Sequence, residues 1–256
     1  MKSLKLGQML GGSNAPSGAG FGNLYSLDFD GVDDYLSLGD ADAFTPNSSG
    51  ANRGFSLSFW INSSASEKLF SKNIGGGNEY ECVVRYNGNA KLTLYSSDTT
   101  AIYQAINIDT SISDGDWHHV VFTFDLGSTS SSLVAYLDGV QKTDGSGATY
   151  SSSGTWVSVS NTAADLRLAY AGGSYGENMQ DEFAIFDAVL TSSQVTDIYN
   201  SGVPNDISSI RYLVGWWRMG DPSGTSAYPT ISDQSSNSND GTMTNMVAGD
   251  IVTDVP

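Results

Sequence analysis

The chain has 256 residues, of which 39% are hydrophobic and 11% aromatic, so it is long and apolar enough to bury one large core. Its 28 acidic and 11 basic side chains give a net charge of −17, which disfavours binding to nucleic acid and to anionic membranes. The single cysteine, Cys82, excludes an internal disulfide. Its place in the run ECVVRY predicts a small buried residue rather than a reactive thiol.

Residues 1–22 are rich in glycine and serine and contain no apolar run of seven or more residues. This pattern predicts neither an export signal nor a membrane span, so we expect a protein made in the cytoplasm. The segment has too little apolar surface to fold alone. We therefore interpret it as an arm that docks on another subunit or on the flank of the domain that follows.

Alternating apolar and polar side chains predict strands. The segment GFSLSFWIN (54–62) and the segment DGDWHHVVFTFD (114–125) each alternate in this way, so each is expected to turn one face to a core. Asp-Gly pairs at 114–115 and 138–139 separate such runs and supply the positive φ angles that tight hairpins need. Many short strands with Gly, Ser and Asn between them predict an all-β, two-sheet antiparallel sandwich.

One short helix is predicted after these strands. Thr191 is placed as its N-cap, and Val195 and Ile198 are spaced to pack one face as far as Ser201. Gly202 is expected to end it. The remaining pattern contains no second helix signal of this strength.

Five segments together resemble the laminin-G-like, concanavalin A-like lectin/glucanase jelly-roll family. The resemblance implies an antiparallel jelly-roll sandwich with one short helix over residues 23–203, a fold used mainly to bind and only sometimes to catalyse. The segments are LDFDGVDDYLSL (27–38), GFSLSFWIN (54–62), DGDWHHVVFTFD (114–125), LVAYLDGVQ (133–141) and MQDEFAIFDAVLTSSQVTDIYNSG (179–202).

Residues 204–256 are interpreted as a C-terminal extension that packs on the jelly roll or on a neighbour. The segments GWWRMGD and DQSSNSNDGTMTN, within 215–245, follow the predicted helix at 191–201. In many relatives of the family, similar segments precede the first strand. This end of the chain resembles the tails of jelly-roll proteins encoded by marine bacteriophages. On a strand, Trp216 and Trp217 would point to opposite faces, which leaves the outward ring free for an interface.

An acidic turn suggests a calcium site. Asp30, Asp33 and Asp34 crowd one turn, and calcium takes six to eight oxygen ligands. The family resemblance implies that the Gly31 carbonyl, Asp33, Asp34 and Asp181 hold Ca²⁺, as their counterparts do in many relatives. The alternative is that Asp and Gly simply form the turn and that the carboxylates are solvated.

Two further polar segments are interpreted as structural. The loop DQSSNSNDG (233–241) lacks the sixth-position glycine of a calcium-binding EF-hand, and the twelfth-position glutamate is missing as well, so Asx turns are predicted there. His118 and His119 are adjacent on a predicted strand and point to opposite faces, so they cannot form one metal site or catalytic pair. One of the two is expected to hydrogen-bond the backbone.

Catalysis is not predicted. Glycoside hydrolysis needs two carboxylates across a cleft, and related glycanases carry them on one strand as E-x-D-x-E. The nearest approach is Glu79-Tyr80-Glu81, which lacks the spacing and the middle acid. Sugar binding without catalysis is compatible with polar and aromatic loops at 86–89, 150–156 and 170–178, although the same residues are ordinary turn material.

Two functions therefore remain open. The first is a non-enzymatic structural or decoration protein of a bacteriophage virion, assembled in the host cytoplasm and then extracellular, whose partners are other virion proteins or further copies of itself in a homo-oligomer. The second is a calcium-dependent lectin-like adhesin or carbohydrate-binding module of bacterial origin that binds surface glycans. Neither reading involves nucleic acid or membrane insertion.

Overall fold

A computed structural model describes residues 21–46, 54–74, 77–96, 102–126, 129 and 132–256. Within these ranges the chain forms nineteen strands and one α-helix, α1, at Ser192–Tyr199. No helix in the described ranges has the length and apolar character needed to cross a membrane. The strands are β1 (Ser26–Asp30), β2 (Tyr35–Ser37), β3 (Phe55–Asn62), β4 (Lys68–Ile74), β5 (Gly77–Val84), β6 (Asn89–Tyr95), β7 (Tyr103–Ser111), β8 (Trp117–Phe124), β9 (Leu133–Leu137), β10 (Val140–Asp144), β11 (Gly147–Ser153), β12 (Leu166–Leu168), β13 (Tyr170–Ala171), β14 (Ser174–Tyr175), β15 (Glu177–Phe186), β16 (Leu213–Trp217), β17 (Thr230–Ile231), β18 (Gly241–Thr244) and β19 (Ile251–Val252).

The strands form two stacked sheets, which confirms the predicted all-β antiparallel sandwich. Sheet I has the order β19–β1–β15–β3–β8–β9–β10, with β16 beside β15 beyond the end of β1. Sheet II has the order β17–β18–β2–β12–β4–β5–β6–β7–β11. A short parallel contact between β10 and β11 joins the sheets at one edge. Strands β13 and β14 form a separate small hairpin.

Aromatic side chains fill the space between the sheets. Phe59 of sheet I and Phe70 of sheet II meet edge to face with ring centroids 5.3 Å apart, and Phe183 lies 5.3 Å from Phe70. All three rings are fully buried. Contacts of this geometry add stability beyond that of buried area, so these rings define where the two sheets stack. Cys82 is buried in the same core, as predicted.

The prediction that one face of β3 turns to the core is confirmed, and the outer face is buried as well, because α1 covers this part of sheet I. Trp60, on that outer face, is 3% exposed and stacks on Tyr199 of α1 with ring centroids 5.8 Å apart. His119 lies beside them, 5.0 Å from the Trp60 ring. Alternation in the sequence shows which side chains share a face, and it carries no information about a helix packed on the other face.

The predicted helix is confirmed. Thr191 is its N-cap and forms a capping box with Gln194, so both side chains satisfy backbone N–H groups that the first turn leaves unpaired. Val195 and Ile198 are buried against sheet I. Asn200 closes the helix in the left-handed conformation, with φ of 45°.

The two Asp-Gly pairs behave differently. Asp138 and Gly139 have φ of 51° and 74° and join β9 to β10 as the predicted tight hairpin. At 114–115 the hairpin prediction is wrong, because the segment carries the chain from β7 in sheet II to β8 in sheet I. The positive φ of Gly115, 83°, therefore serves a crossover between the sheets.

Residues 204–256 supply strands to both sheets. Strand β16 pairs with β15, β18 pairs with β2, and β19 pairs with β1. Trp217 of β16 is fully buried between the sheets, so β16 shares one hydrophobic core with the strands that precede it in the chain. The prediction that the outward ring of the Trp pair is free is wrong: Trp216 is only 3% exposed, because Phe21 stacks on it at 6.1 Å.

Candidate functional site

Three tyrosines meet on the outer face of sheet II. Ring centroids lie 6.1 Å apart between Tyr35 and Tyr170, 6.3 Å between Tyr35 and Tyr175, and 5.4 Å between Tyr170 and Tyr175. Leu36 is fully buried in the core, so its neighbour Tyr35 points to the opposite face of the sheet. All three tyrosines are half-buried, which leaves part of each ring open to solvent.

The β13–β14 hairpin holds two of these rings side by side. Gly172 and Gly173 form its two-residue turn with φ of 60° and 83°, a conformation that glycine adopts without strain. Tyr170 and Tyr175 are directly paired across the hairpin. Because paired residues of adjacent strands project to the same side, the turn fixes the spacing of the two rings.

Arg167 completes this cluster, which we call the tyrosine–arginine surface (Tyr35, Arg167, Tyr170 and Tyr175). The guanidinium carbon of Arg167 lies 5.3 Å from the ring centroids of both Tyr35 and Tyr170. Asp165 Oδ2 lies 3.7 Å from Arg167 Nη2 and accepts a hydrogen bond of 3.3 Å from the Ser37 hydroxyl. Arg167 Nε is buried and has no hydrogen-bond partner among the described residues.

Polar side chains continue the surface across sheet II. In register, Arg167 is opposite Ser71, Ser71 is opposite Glu81, and Glu81 is opposite Thr93. Glu81 Oε1 accepts a hydrogen bond of 2.7 Å from the Tyr95 hydroxyl. Ser71 and Thr93 are buried. The exposed part of the surface therefore combines aromatic faces, one guanidinium and carboxylates. These are the groups with which proteins hold the apolar face and the hydroxyl groups of a sugar.

The acidic turn lies next to Tyr35 in the chain. Asp30 Oδ1 accepts hydrogen bonds from the backbone N–H groups of Val32 (2.8 Å) and Asp33 (3.4 Å), and Asp34 Oδ2 accepts one from Asp30 (3.3 Å). Carboxylate oxygens of Asp30, Asp33 and Asp34 lie within 4.8 Å of one another. The bonds show that these acids shape the turn, and the oxygen-only donor set is one that calcium accepts.

Gly31 is required at this turn by its backbone. Its φ is 72°, and a Cβ atom at this position would come within 2.8 Å of Glu177 Cβ. Glu177 is the residue paired with Asp30 in the β1–β15 ladder. The close approach of the two strands explains the glycine without reference to a metal.

The structure does not bring Asp181 to the acidic turn. Since Asp30 pairs with Glu177, Asp181 lies four residues farther along β15, or roughly 13 Å away. Its carboxylate instead accepts hydrogen bonds of 2.8 Å from Asn23 Nδ2 and from the Glu182 backbone N–H. A shared cage with Asp33 and Asp34 is therefore not formed, and calcium binding by the turn itself stays a prediction.

Asp181 belongs to a buried acidic cluster on the outer side of sheet I. A bulge in β15 puts Glu182 at φ of 50°, and its carboxylate accepts hydrogen bonds from Arg218 Nε (3.1 Å) and Trp216 Nε1 (2.5 Å). Burial raises the pKa of Glu182 to about 7 although Arg218 opposes the shift. Burial and the nearby Glu182 charge raise the pKa of Asp181 well above its usual range. Asp221, also buried, adds a third carboxyl group.

The same cluster anchors the start of the described chain. The Arg218 guanidinium lies 4.1 Å above the Phe21 ring and donates a hydrogen bond of 2.5 Å to the Gly22 carbonyl. The backbone N–H of Leu24 donates to Asp221 Oδ2 at 2.8 Å. The end of the predicted arm thus docks on the flank of the sandwich, whereas residues 1–20 lie outside the described residues.

Asp181→Asn is expected to raise stability at pH 8 and to change it little at pH 4. An acid whose pKa is higher in the folded state binds more protons when folded, so its contribution to stability falls as pH rises from about 4.5 to about 7. For Glu182 this loss is about 3 kcal/mol, and the raised pKa of Asp181 carries a loss of the same kind, which the substitution removes because asparagine does not titrate. Urea unfolding across pH 4–8 measures the effect. Parallel profiles for the wild type and the variant would contradict it, and exposed Asp116→Asn is the control.

The segment Glu79-Tyr80-Glu81, which comes nearest in sequence to a catalytic acid pair, contains one half of a buried ion pair, Glu79 with Lys72. Glu79 Oε1 accepts hydrogen bonds of 2.7 Å from Lys72 Nζ and from the Thr162 backbone N–H, and Oε2 accepts one of 2.5 Å from the Thr45 hydroxyl. Lys72 also reaches Asp40 at 2.7 Å. The Lys72 and Glu79 side chains are fully buried. Glu79 therefore ties two loops to sheet II and presents no oxygen to a substrate.

The family is shown by sequence. Residues 30–196, about two-thirds of the chain, match a laminin-G family model described as the concanavalin A-like lectin/glucanases superfamily. The chain belongs to the concanavalin A-like lectin/glucanases superfamily. No curated protein matches the sequence.

The solved structures similar to this superfamily member have low sequence identity to it. A putative carbohydrate binding protein from Bacteroides ovatus ATCC 8483 superposes with a TM-score of 0.57 and 13% identity, over 90% of this chain and 60% of that one. The SAP-like pentraxin of Limulus polyphemus gives a TM-score of 0.46 and 17% identity, over 69% and 82% of the two chains. Mouse laminin α1 domains LG4-5 give 0.46 and 10%, over 75% and 48%. The first likeness shows the fold, and the chain spans less than two-thirds of that protein.

In this superfamily member the two histidines occupy separate environments, as predicted, but the expected bond from one ring to the backbone is wrong. His118 contacts the carboxylates of Asp138 (2.9 Å) and Asp114 (3.2 Å), and the bond to Asp138 raises its pKa. His119 Nε2 contacts the Ser58 hydroxyl at 2.9 Å, and burial lowers its pKa to about 3. Neither ring lies at the tyrosine–arginine surface.

The Asx turns predicted at 233–241 are confirmed. Asp233 Oδ1 accepts the backbone N–H of Ser235 at 2.8 Å, and Oδ2 accepts that of Asn239 at 2.9 Å. Asp233 Oδ1 also accepts the Trp216 N–H, which fastens the loop to β16. Its oxygens are thus used by backbone donors.

Sequence reasoning found part of the site. The loop at 170–178 contains Tyr170 and Tyr175, whereas Arg167 and Asp165 were not singled out. The dipeptide Gly172-Gly173 between two tyrosines is a hairpin signal that predicts their pairing. No comparable signal marks Arg167, because its place beside Tyr35 depends on the β2–β12 pairing between distant segments.

Proposed function

We propose that this protein is a non-catalytic carbohydrate-binding module that holds a sugar on the tyrosine–arginine surface. The observation that carries the proposal is the convergence of Tyr35, Tyr170 and Tyr175 around Arg167 on the outer face of sheet II. Half-buried aromatic rings offer apolar area with little conformational freedom to lose on binding. A fold shared with a putative carbohydrate binding protein supports the same class of ligand.

The carboxylates near the surface support binding over hydrolysis. Hydrolysis of a glycosidic bond requires one carboxyl group that acts as an acid and a second that acts as a base or nucleophile. Asp165 is engaged by Arg167 and the Ser37 hydroxyl, and Glu81 by the Tyr95 hydroxyl. Both therefore serve to orient neighbouring donors, and we expect no release of reducing ends from polysaccharides.

Tyr170→Ala and Tyr175→Ala are each expected to weaken sugar binding about fivefold or more, since each ring supplies a stacking face worth about 1 kcal/mol or more. A glycan array identifies the ligand, and titration calorimetry measures the affinities. Tyr86→Ala is the comparison variant, because Tyr86 is 86% exposed and lies on the alternative loop at 86–89, so we expect this variant to bind as the wild type does. Unchanged affinity in both hairpin variants would contradict the proposal.

Calcium is proposed as an ion that stabilises the acidic turn beside Tyr35. A ligand that binds only the folded state at a hundredfold excess over Kd adds about 2.7 kcal/mol, so the melting temperature should rise with calcium and fall with a chelator. Asp33→Asn should remove the response, whereas Asp116→Asn should keep it. A melting temperature insensitive to both calcium and chelator would rule the ion out.

A role in a bacteriophage virion stays a prediction. The segment proposed to perform this role is the arm at residues 1–22, which would contact other virion proteins or further copies of the chain. Protease protection of the arm in assembled particles but not in the isolated protein would support this role, and equal protection in both would contradict it.

A further inference from the structure

We infer that the tyrosine–arginine surface selects a neutral sugar, bound through a pair of adjacent hydroxyl groups, and discriminates against sugars that carry a carboxylate or sulfate. The inference rests on the proposed function, because it names the ligand class of the same surface. It is carried by the placement of Asp165 beside Arg167 and by the carboxylates that adjoin two of the three tyrosines in the chain.

Arg167 is not free to receive an anion. Its guanidinium already faces the Asp165 carboxylate at 3.7 Å, so one positive charge is matched by one negative charge. Asp165 is held in place by the Ser37 hydroxyl, and both side chains of the ion pair are partly buried, at 31% and 41% exposed. An acidic sugar would have to displace Asp165 from Arg167 or to accept its repulsion at contact distance.

Further carboxylates adjoin two of the three tyrosines in the chain. The acidic turn of Asp30, Asp33 and Asp34 directly precedes Tyr35, and Glu177 directly follows the β13–β14 hairpin with only Gly176 between them. At physiological ionic strength electrostatic interactions are screened over about 8 Å. Nearby charged groups therefore affect the binding of a charged ligand more than the whole-chain charge of −17 does. Both the neighbouring charges and the whole-chain charge oppose an anion.

The same groups suit a neutral diol. A hydroxyl group can accept a hydrogen bond from a guanidinium and donate one to a carboxylate, so two adjacent hydroxyls can engage Arg167 and Asp165 together. The carbon face of the sugar can meanwhile lie against one tyrosine ring, Tyr170 or Tyr175, whose planes are 62° apart.

The test uses the full chain and an array of glycans in matched pairs that differ by one acidic group, including lactose with 3′-sialyllactose and N-acetyllactosamine with its 6-sulfated form. Titration calorimetry then measures the best pair at 50 and 500 mM NaCl. We expect the neutral member to bind at least about tenfold more tightly, with less than about a twofold change between the two salt concentrations. Tighter binding of the acidic member would overturn the inference and leave the proposed function standing.

Asp165→Asn provides a second readout, with thermal unfolding as the check that the variant is folded. It removes the repelling charge and keeps a side chain that can accept from Ser37, so the neutral-to-acidic affinity ratio should fall at least about threefold relative to the wild type. An unchanged ratio would overturn the part assigned to Asp165. Glycan binding that both Tyr170→Ala and Tyr175→Ala leave intact would contradict the proposed function, and the inference with it.

Discussion

Glu79→Gln is expected to lower the free energy of unfolding by about 3–5 kcal/mol, the usual cost of removing one partner from a buried ion pair. The substitution leaves the Lys72 ammonium fully buried with Asp40 as its remaining charged partner. It also replaces the carboxylate that accepts hydrogen bonds from the Thr45 hydroxyl and the Thr162 backbone N–H with a neutral amide that has only one acceptor oxygen. Urea unfolding at pH 7 measures the loss.

Glu81→Gln is the matched control for this effect. Glu81 lies two residues along the same strand, is half-buried, and accepts a hydrogen bond from Tyr95 at 2.7 Å. Its loss is expected to cost about 1 kcal/mol. Equal losses in the two variants, or activity on a polysaccharide that Glu79→Gln abolishes, would show that Glu79 does not have the structural role assigned to it.

Trp217→Ala is expected to cost about 3–5 kcal/mol, the range for removing a large aromatic side chain from a core. The ring is fully buried, meets Phe44 edge to face at 5.7 Å, and donates a hydrogen bond of 2.8 Å from Nε1 to the Asn239 carbonyl. A cavity and an unpaired carbonyl would both remain. Thermal and urea unfolding should show one cooperative transition at lower stability.

Val247→Ala is the control in the same part of the chain, because Val247 is 61% exposed and its substitution should change the free energy of unfolding by no more than about 0.5 kcal/mol. A small effect of Trp217→Ala, or separate unfolding transitions for residues 23–203 and 204–256, would contradict the shared core. Such a result would instead favour an appended extension.

The sequence was sufficient to predict the fold where the signals are local. Alternation in β3 and β8, the N-cap at Thr191 and the Asp-Gly turn at 138–139 each depend on residues a few positions apart, and the structure contains all of them. The hairpin prediction at 114–115 was wrong because the same Asp-Gly pair can also form the turn in a connection between two sheets. Turn residues specify backbone angles, and strand pairing decides where the chain goes next.

The candidate site was harder to predict from the sequence, because it also depends on strand pairing. Tyr35 and Arg167 meet only because β2 pairs with β12, across more than 120 residues of sequence. The prediction that Asp181 joins the acidic turn rests on the family resemblance. The actual register of β1 and β15 pairs Asp30 with Glu177, and a bulge turns the Asp181–Glu182 segment towards Arg218. A register difference of four residues moves a side chain by roughly 13 Å, which is enough to change its function.

The most direct test of the central claim is a crystal structure of the protein with the tightest-binding glycan from the array. The account predicts a sugar ring within about 4 Å of the Tyr170 or Tyr175 ring, with a hydroxyl group hydrogen-bonded to Arg167. A sugar bound elsewhere, with the tyrosine–arginine surface empty, would contradict it.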